Sequence, residues 1–304
     1  MNRLPPYDLV DLRLLVALAE HRHFARAAEA CSLSQPALSA RIRRLEDALA
    51  LPLIYRGKRF EGFTPDGERA LEWARRILAD CSGLVQDIKV DAAGPRGTLR
   101  LGVIPSATPA AGALSGALAR AYPNLQPQVL AMSSNAIKAG LADFSLDAGI
   151  TYLSGDGPGA SAPHTKVIPL FEETYCVVAR PDVVGHSEGP ITWYAAASLP
   201  MCLLTRDMQN RRIIDDAFHQ VGAAPEPRFE SNSFNAILAL VREHAFATIL
   251  PRMQVDAGLT EVLQVWDLVE PNIASPIGLV VPDREPVLPV TTALLNVVAA
   301  STGD

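Results

Sequence analysis

The polar side chains between positions 34 and 44 have the types and spacing of a surface that contacts nucleic acid. The set consists of two hydroxyls, one amide and three guanidinium groups: Ser34, Ser39, Gln35, Arg41, Arg43 and Arg44. Short polar side chains can approach base edges, and arginines bind phosphates or guanine. Ser34 is a good N-cap residue, and Pro36 fits the first turn of the helix that would follow. The exposed start of such a helix would offer backbone N–H groups to a phosphate.

Apolar residues in the same stretch predict the helix that presents this surface. Leu38, Ile42, Leu45 and Leu49 are spaced four, three and four apart, so they share one helical face. A short alanine-rich helix precedes them over residues 24–31, and the tight turn between the two predicts a helix-turn-helix. The alternative is an ordinary amphipathic helix with a solvated basic face.

A basic hairpin is predicted directly after the second helix. Residues 51–64 indicate two short strands around a glycine turn. Arg56, Lys58 and Arg59 lie in that turn, where each could contact a DNA phosphate.

Residues 7–64 resemble the winged helix-turn-helix of LysR-type transcriptional regulators. The motifs that carry the resemblance are Phe24-Ala25-Arg26-Ala27-Ala28, Ser34-Gln35-Pro36-Ala37-Leu38-Ser39, Ile42-Arg43-Arg44-Leu45-Glu46, Leu53-Ile54-Tyr55-Arg56 and Thr64-Pro65-Asp66-Gly67. The resemblance implies DNA contacts from Ser34, Gln35, Pro36, Ser39, Arg43 and Arg56, and we add Arg26 from the first motif. Ala40 stands where many members have a basic or amide residue, which shifts weight to Ser39, Arg41 and Arg43.

Residues 65–90 predict a long helix with a dimerisation seam. Its members follow a heptad spacing of three and four: Leu71, Ala74, Leu78, Cys81, Val85 and Ile88. The alternative is a helix that packs on its own domain. The family resemblance implies antiparallel pairing of these helices in a dimer or tetramer, and a pair of heads would require a two-fold related DNA site. Residues 92–97 would then form a hinge.

Alternating strands and helices over residues 98–304 predict an α/β domain with a mainly parallel sheet. The pattern restarts near 174 and returns near 276, which predicts two lobes, one of about 98–172 and 275–304 and the other of about 173–274. This arrangement resembles the effector domain of the same family, which is similar to periplasmic binding proteins and takes its ligand between the lobes. The expected domains are therefore a winged helix-turn-helix over 1–64, a linker over 65–97 and an effector domain over 98–304.

Polar residues at predicted strand ends are candidates for the effector site. They are Ser106, Thr108, Ser133, Thr151, Thr205, Arg206 and Asn232. Ser106 and Thr205 each begin a predicted helix, on different lobes, and two facing helix N-termini would suit a small anion. Arg206 and Arg211 could add positive charge. The alternative for each hydroxyl is a cap or a turn. The segment 203–212 resembles a subset of these regulators associated with formate dehydrogenase operons.

Charge, cysteine spacing and the lack of targeting segments limit the classes of function that the sequence allows. The net charge is −6, yet residues 1–65 carry ten Lys/Arg against seven Asp/Glu, so a basic head precedes an acidic body. No secretory signal and no run of 18 apolar residues is visible, which predicts a cytoplasmic protein with no membrane partner. The four cysteines have no zinc spacing, and no phosphate loop or nucleophile motif is present, so we expect neither cofactor nor enzyme activity.

The sequence therefore predicts a ligand-responsive transcriptional regulator whose partners are double-stranded DNA, a small anionic effector, RNA polymerase and further copies of itself. Two alternatives stay open at this point. A solute-binding transport protein would explain the body but not the head. A two-lobed enzyme would use the strand-end hydroxyls, although no nucleophile–base pair is visible.

Overall fold

The chain folds as two compact units, one of residues 1–95 with 142–145 and the other of residues 96–141 with 146–304. The computed structural model describes residues 6–55, 60–88, 94–153, 165–185, 189–255, 259 and 263–302. Within these ranges no helix is both long enough and apolar enough to cross a membrane.

The first unit is helical. Its helices are α1 (Leu9–His21), α2 (Phe24–Ala30), α3 (Gln35–Leu49) and α4 (Pro65–Ile88). Their buried core includes Leu14, Leu15, Leu18, Ala27, Leu38, Ile42, Leu45 and Leu53. Ile54 and Phe63 pair as an antiparallel bridge, as expected at the base of a hairpin. The predicted basic turn with Arg56, Lys58 and Arg59 lies outside the described residues.

Caps define where these helices begin. Ser34 Oγ accepts the backbone N–H of Ala37 at 3.4 Å, and Pro36 occupies the first turn, as predicted. Thr64 Oγ1 accepts the N–H of Gly67 at 3.0 Å and so caps α4, also as predicted. Each cap satisfies a backbone donor that has no partner within its helix.

The apolar positions predicted as a seam on α4 do not form one continuous exposed surface. Leu71 and Ala74 are buried in the core of the first unit, because α4 packs against α1. They are therefore not free to contact a second copy, contrary to the prediction for the full seam. Farther along, Leu84 is 60% exposed, Val85 50% and Ile88 74%.

The second unit contains a mixed sheet rather than the mainly parallel one predicted. Its first lobe has β1 (Gly97–Val103), β2 (Leu125–Ala131) and β3 (Ala148–Tyr152) in parallel, and β10 (Ala274–Pro282) runs antiparallel to β3. Helices α5 (Thr108–Ala121), α6 (Ser134–Ala142) and α11 (Pro289–Thr302) accompany them. A 3-10 turn, Pro105–Ala107, leads into α5.

The second lobe is built around the far half of β4 (Thr165–Ala179), which pairs antiparallel with β8 (Ala247–Pro251) and β9 (Gln264–Val269). Strand β5 (Ile191–Thr192) pairs with β9, and β6 (Cys202–Leu204) pairs with β7 (Phe229–Ser231), both in parallel. The helices are α7 (Pro181–Val184), α8 (Trp193–Ala196), α9 (Gln209–Gln220) and α10 (Phe234–Glu243). A second 3-10 turn covers Arg252–Gln254.

Strand β4 joins the two lobes. Residues 165–174 pair with β10 in the first lobe, and residues 175–179 pair with β8 and β9 in the second. Glu173 and Thr174 therefore lie where the strand exchanges one set of neighbours for another. The mixed sheet follows from this crossing, because β4 and β10 each run antiparallel to a neighbour in the first lobe.

Gly67 has no room for a side chain, since a Cβ there would lie 1.9 Å from the carbonyl oxygen of Leu53. We expect Gly67→Ala to destabilise the first unit by about 3 kcal/mol in chemical denaturation followed by circular dichroism. Gly112→Ala is the matched control, because its Cβ would meet nothing within 4 Å. It should leave stability unchanged or raise it by about 0.5–1 kcal/mol. Equal stabilities for the two variants would contradict this account of the Thr64–Gly67 turn.

Candidate DNA interface and effector cleft

The outer face of α3 presents the side chains expected to contact DNA. Ser34, Gln35, Pro36 and Arg43 are exposed, and Ser39 is half-buried at the edge of the same face. The apolar positions of α3 point the other way, into the core. Arg26 is also exposed, on α2.

Arg41 and Arg44 differ from this pattern, because both are held by acidic residues at the start of α1. Arg41 Nη1 lies 3.0 Å from Asp8 Oδ1 and 2.8 Å from Asp11 Oδ1, and Arg44 Nη2 lies 2.7 Å from Asp11 Oδ2. The sequence prediction assigned both arginines to DNA. Their observed partners fix α3 against α1, and contact of either arginine with DNA stays a prediction.

Asp11 is the residue that sequence reasoning missed. Its side chain is 0% exposed, and it accepts from both arginines while its Oδ2 accepts the N–H of Asp8 at 3.0 Å. Asp8 in turn caps α1. The pKa of its carboxyl is lowered, chiefly because the carboxyl accepts the backbone N–H of Asp11 and to a smaller extent because Arg41 donates to it. The available signal was the pair of acids three residues apart before an apolar run, which is a capping-box pattern.

Glu46 ties α3 to the first strand of the hairpin. Its buried carboxylate accepts the backbone N–H groups of Leu53 at 2.8 Å and Ile54 at 3.3 Å. The hairpin base is therefore positioned by the same helix that presents Gln35 and Arg43.

In the second unit a small cavity lies between the two lobes. Its volume is about 20 Å³, and the residues that line it are Ile104, Pro105, Ser106, Ser133, Ser134, Tyr152, Leu204, Met208, Gln209, Asn210 and Phe234. A space of this size holds about one water molecule. Gln254 of the second lobe contacts the first lobe, because its Nε2 donates to the carbonyl oxygen of Ser106 at 2.8 Å.

Two of the seven predicted effector residues, Ser106 and Ser133, line this cavity. The others do not: Thr108, Arg206 and Asn232 are exposed, Thr151 is buried, and Thr205 is half-buried. Strand-end position identified only the first-lobe serines, because the second-lobe wall is formed by Leu204, by residues 208–210 at the start of α9 and by Phe234 at the start of α10. Arg211 does not line the cavity either. Its guanidinium is buried against Asp215, Glu230 and the carbonyl oxygen of Leu204.

Helix N-termini dominate the cavity wall. Ser134, Gln209 and Phe234 are the first residues of α6, α9 and α10, and Ser106 lies in the turn that leads into α5. No lining residue carries a formal charge. Helix ends, rather than arginine or lysine side chains, therefore supply the positive partial charge in this wall.

Several polar atoms in the wall are buried without a hydrogen-bond partner. Asn210 is 5% exposed, and both its Oδ1 and its Nδ2 lack a partner, as does Ser134 Oγ. Buried polar groups in proteins are almost always paired, so such a cluster indicates a place where a ligand or water completes the bonding.

Behind this wall lies a buried carboxyl group at the lobe crossing. Glu173 Oε1 accepts the hydroxyl of Tyr152 at 2.7 Å and that of Tyr175 at 2.8 Å. Burial raises the pKa of Glu173, although the hydrogen bond from Tyr152 opposes the shift. Glu173 thus connects the first lobe, through Tyr152, with the second lobe, through Tyr175.

The thiols of the second unit are shielded. Cys176 and Cys202 are both buried, and burial raises the pKa of each to about 11. A thiolate is the reactive form, so these groups are poor nucleophiles near neutral pH. In the part of the chain that the structure describes, no group of three or more His, Cys, Asp or Glu side chains could hold a metal ion.

Comparison with known families identifies both units. Residues 9–68 match the family described as "Bacterial regulatory helix-turn-helix protein, lysR family", and residues 92–302 match "LysR substrate binding domain".

Curated relatives and solved structures agree with this assignment. The SDS degradation transcriptional activation protein of Pseudomonas sp. (strain ATCC 19151) is 33% identical over 85% of each chain. The hydrogen peroxide-inducible genes activator of Dickeya chrysanthemi is 29% identical over 82% of this chain and 80% of its own length. A full-length OxyR variant from Pseudomonas aeruginosa superposes with a TM-score of 0.73 at 25% identity, covering 97% of each chain.

A fourth relative supports the fold alone. The structure of full-length CbnR with its target DNA has a TM-score of 0.67 at 19% identity and covers 97% of this chain and 99% of its own. Because the two family models together cover most of the sequence, the chain belongs to the LysR family of DNA-binding transcriptional regulators, which are not enzymes.

Proposed function

We propose that this regulator responds to a small anionic metabolite that binds between the lobes of the second unit. The observation that carries the proposal is that three helix starts line a cavity with unpartnered polar atoms. Helix N-termini stabilise negative charge through their free N–H groups and their dipoles. In the present arrangement the cavity is too small for a metabolite, so binding requires the lobes to part and close again. Such a movement would favour one state of the protein on DNA.

We also propose where the protein acts, how it assembles on DNA and which residues contact the DNA. The protein acts in the cytoplasm, as a dimer or tetramer on a palindromic promoter site, and alters recruitment of RNA polymerase. The exposed residues on α3, together with Arg26 and the hairpin residues Arg56, Lys58 and Arg59, provide the DNA contacts. The relatives named above give no support to the formate dehydrogenase assignment of residues 203–212, so it forms no part of the proposal.

The contrast between Arg43 and Arg41 tests the DNA interface. Arg43→Ala should weaken binding to promoter DNA. It should also reduce the slope of log affinity against log salt concentration by about 0.9 for each DNA-bound copy of the first unit, because one phosphate contact is lost. Arg41→Ala should leave that slope unchanged but lower the stability of the first unit by about 1–2 kcal/mol, because Asp11 loses a partner. Fluorescence anisotropy at four salt concentrations and denaturant unfolding provide the two readouts. Equal reductions in slope would show that Arg41 contacts DNA directly.

The exposed end of α4 is the surface proposed for self-association. A Val85→Glu/Ile88→Glu double variant should dissociate the oligomer in sedimentation velocity at micromolar concentration, because charges replace side chains that are half or more exposed in the single chain. Glu72→Lys, an exposed charge change near the other end of α4, is the control and should leave the assembly intact. An oligomer that persists in the double variant would exclude this surface.

Peroxide sensing is the second candidate function, because several relatives are named "Hydrogen peroxide-inducible genes activator". The burial and raised pKa of Cys176 and Cys202 oppose a thiol-based response in the second unit. We expect hydrogen peroxide to leave the mobility and footprint of the DNA complex unchanged, whereas small carboxylates alter them. A peroxide response that persists in Cys31→Ser and disappears in Cys202→Ser would contradict the proposal and favour a redox sensor.

A further inference from the structure

We propose that the cleft prefers small carboxylates that also carry a hydrogen-bond donor, namely hydroxy acids and amino acids, over the corresponding plain carboxylates. This inference rests on the proposed anion-binding function and adds a second requirement to it. The requirement comes from the direction of the hydrogen bonds that lead from the cavity wall to Glu173.

The direction of these bonds is fixed by the number of available hydrogens. Tyr152 has one hydroxyl hydrogen, and it donates that hydrogen to Glu173 Oε1 at 2.7 Å. Tyr175 donates to the same oxygen at 2.8 Å, so any proton on the carboxyl group would reside on Oε2. Ser106 Oγ lies 3.4 Å from Tyr152 Oη. Because Tyr152 has no second hydrogen, Ser106 must be the donor in that contact.

The lone pairs of Ser106 Oγ therefore point into the cavity, whereas its hydrogen points toward Tyr152. Ser106 is only 2% exposed, so water does not readily satisfy those lone pairs. On the opposite lobe, Asn210 offers a second unpartnered acceptor, Oδ1, beside its unpartnered Nδ2. The wall also contains three helix starts, at Ser134, Gln209 and Phe234, and helix starts offer backbone donors.

These groups together specify a ligand with two kinds of polar group. A carboxylate can accept from the helix starts and from Asn210 Nδ2. A hydroxyl or ammonium group on the same small molecule can donate to Ser106 Oγ and Asn210 Oδ1. A plain carboxylate would leave these buried acceptors without a donor, and sites built to bind a hydroxyl or amine strongly reject analogues that lack it.

The experiment measures binding of three matched sets of probes to the full-length protein by isothermal titration calorimetry. The sets are acetate, glycolate and glycine; propionate, lactate and alanine; and succinate, malate and aspartate. In at least one set, we expect the wild type to bind a donor-bearing member about tenfold or more tightly than the plain acid.

Two variants test the hydrogen-bond direction. Tyr152→Phe frees the Ser106 hydrogen to point into the cavity, so the preference should fall below about threefold. Tyr175→Phe removes an equivalent hydrogen bond to Glu173 Oε1 but does not line the cavity, so it should keep the preference. Thermal unfolding of both variants verifies that each is folded before titration.

The possible results separate this inference from the function on which it rests. Equal binding of plain and donor-bearing acids to the wild type would overturn the inference while leaving anion binding intact. Loss of the preference in both phenylalanine variants would overturn the assigned role of Ser106. If no probe binds while promoter DNA is still bound, the proposal of a small carboxylate effector fails, and this inference fails with it.

Discussion

The architecture of the effector-binding unit depends on one strand, β4, whose side chains alternate between different cores. Tyr175, Val177 and Ala179 belong to one hydrophobic cluster of the second lobe, while Cys176 and Val178 belong to another. The preceding half of the strand pairs with β10 in the first lobe. Because a shift of one residue would reverse every side chain, the register of this strand is strongly constrained. Glu173 lies on it at the point where its partners change, which explains why a buried carboxyl can contact tyrosines from both lobes.

Two buried acids show how the completeness of hydrogen bonding separates structural from binding roles. Asp11 in the first unit has partners for both carboxylate oxygens, and the result is a fixed orientation of α3. Glu173 accepts two hydroxyl groups at Oε1 but has no hydrogen-bond partner at Oε2. The nearby Asn210 side chain has no hydrogen-bond partner at Oδ1 or Nδ2. Satisfied networks rigidify a fold, whereas incomplete ones cost free energy until a further group completes them. The second arrangement is consistent with a cleft that changes between states.

The sequence was sufficient for the parts of the fold that depend on local patterns. The Ser34 and Thr64 caps and the inward face of α3 followed directly from residue type and helical spacing. The ion pairs of Arg41 and Arg44 with Asp11 were not predictable in the same way, because 30 or more residues separate the partners in sequence. Apart from Ser106 and Ser133, the cavity lining was missed for a related reason. Tyr152 and Asn210 lie on different lobes and far apart in sequence, and neither residue alone carries a binding signature.

The buried position of Asp11 also limits how the recognition helix can be exchanged among relatives. A designer who wishes to alter promoter choice would transplant α3 from another regulator as a cassette. If the donor helix lacked arginines at positions 41 and 44, the transplant would leave the Asp11 carboxylate desolvated and without a counter-ion. Reprogramming of this protein therefore has to treat the beginning of α1 and the whole of α3 as a single inherited module.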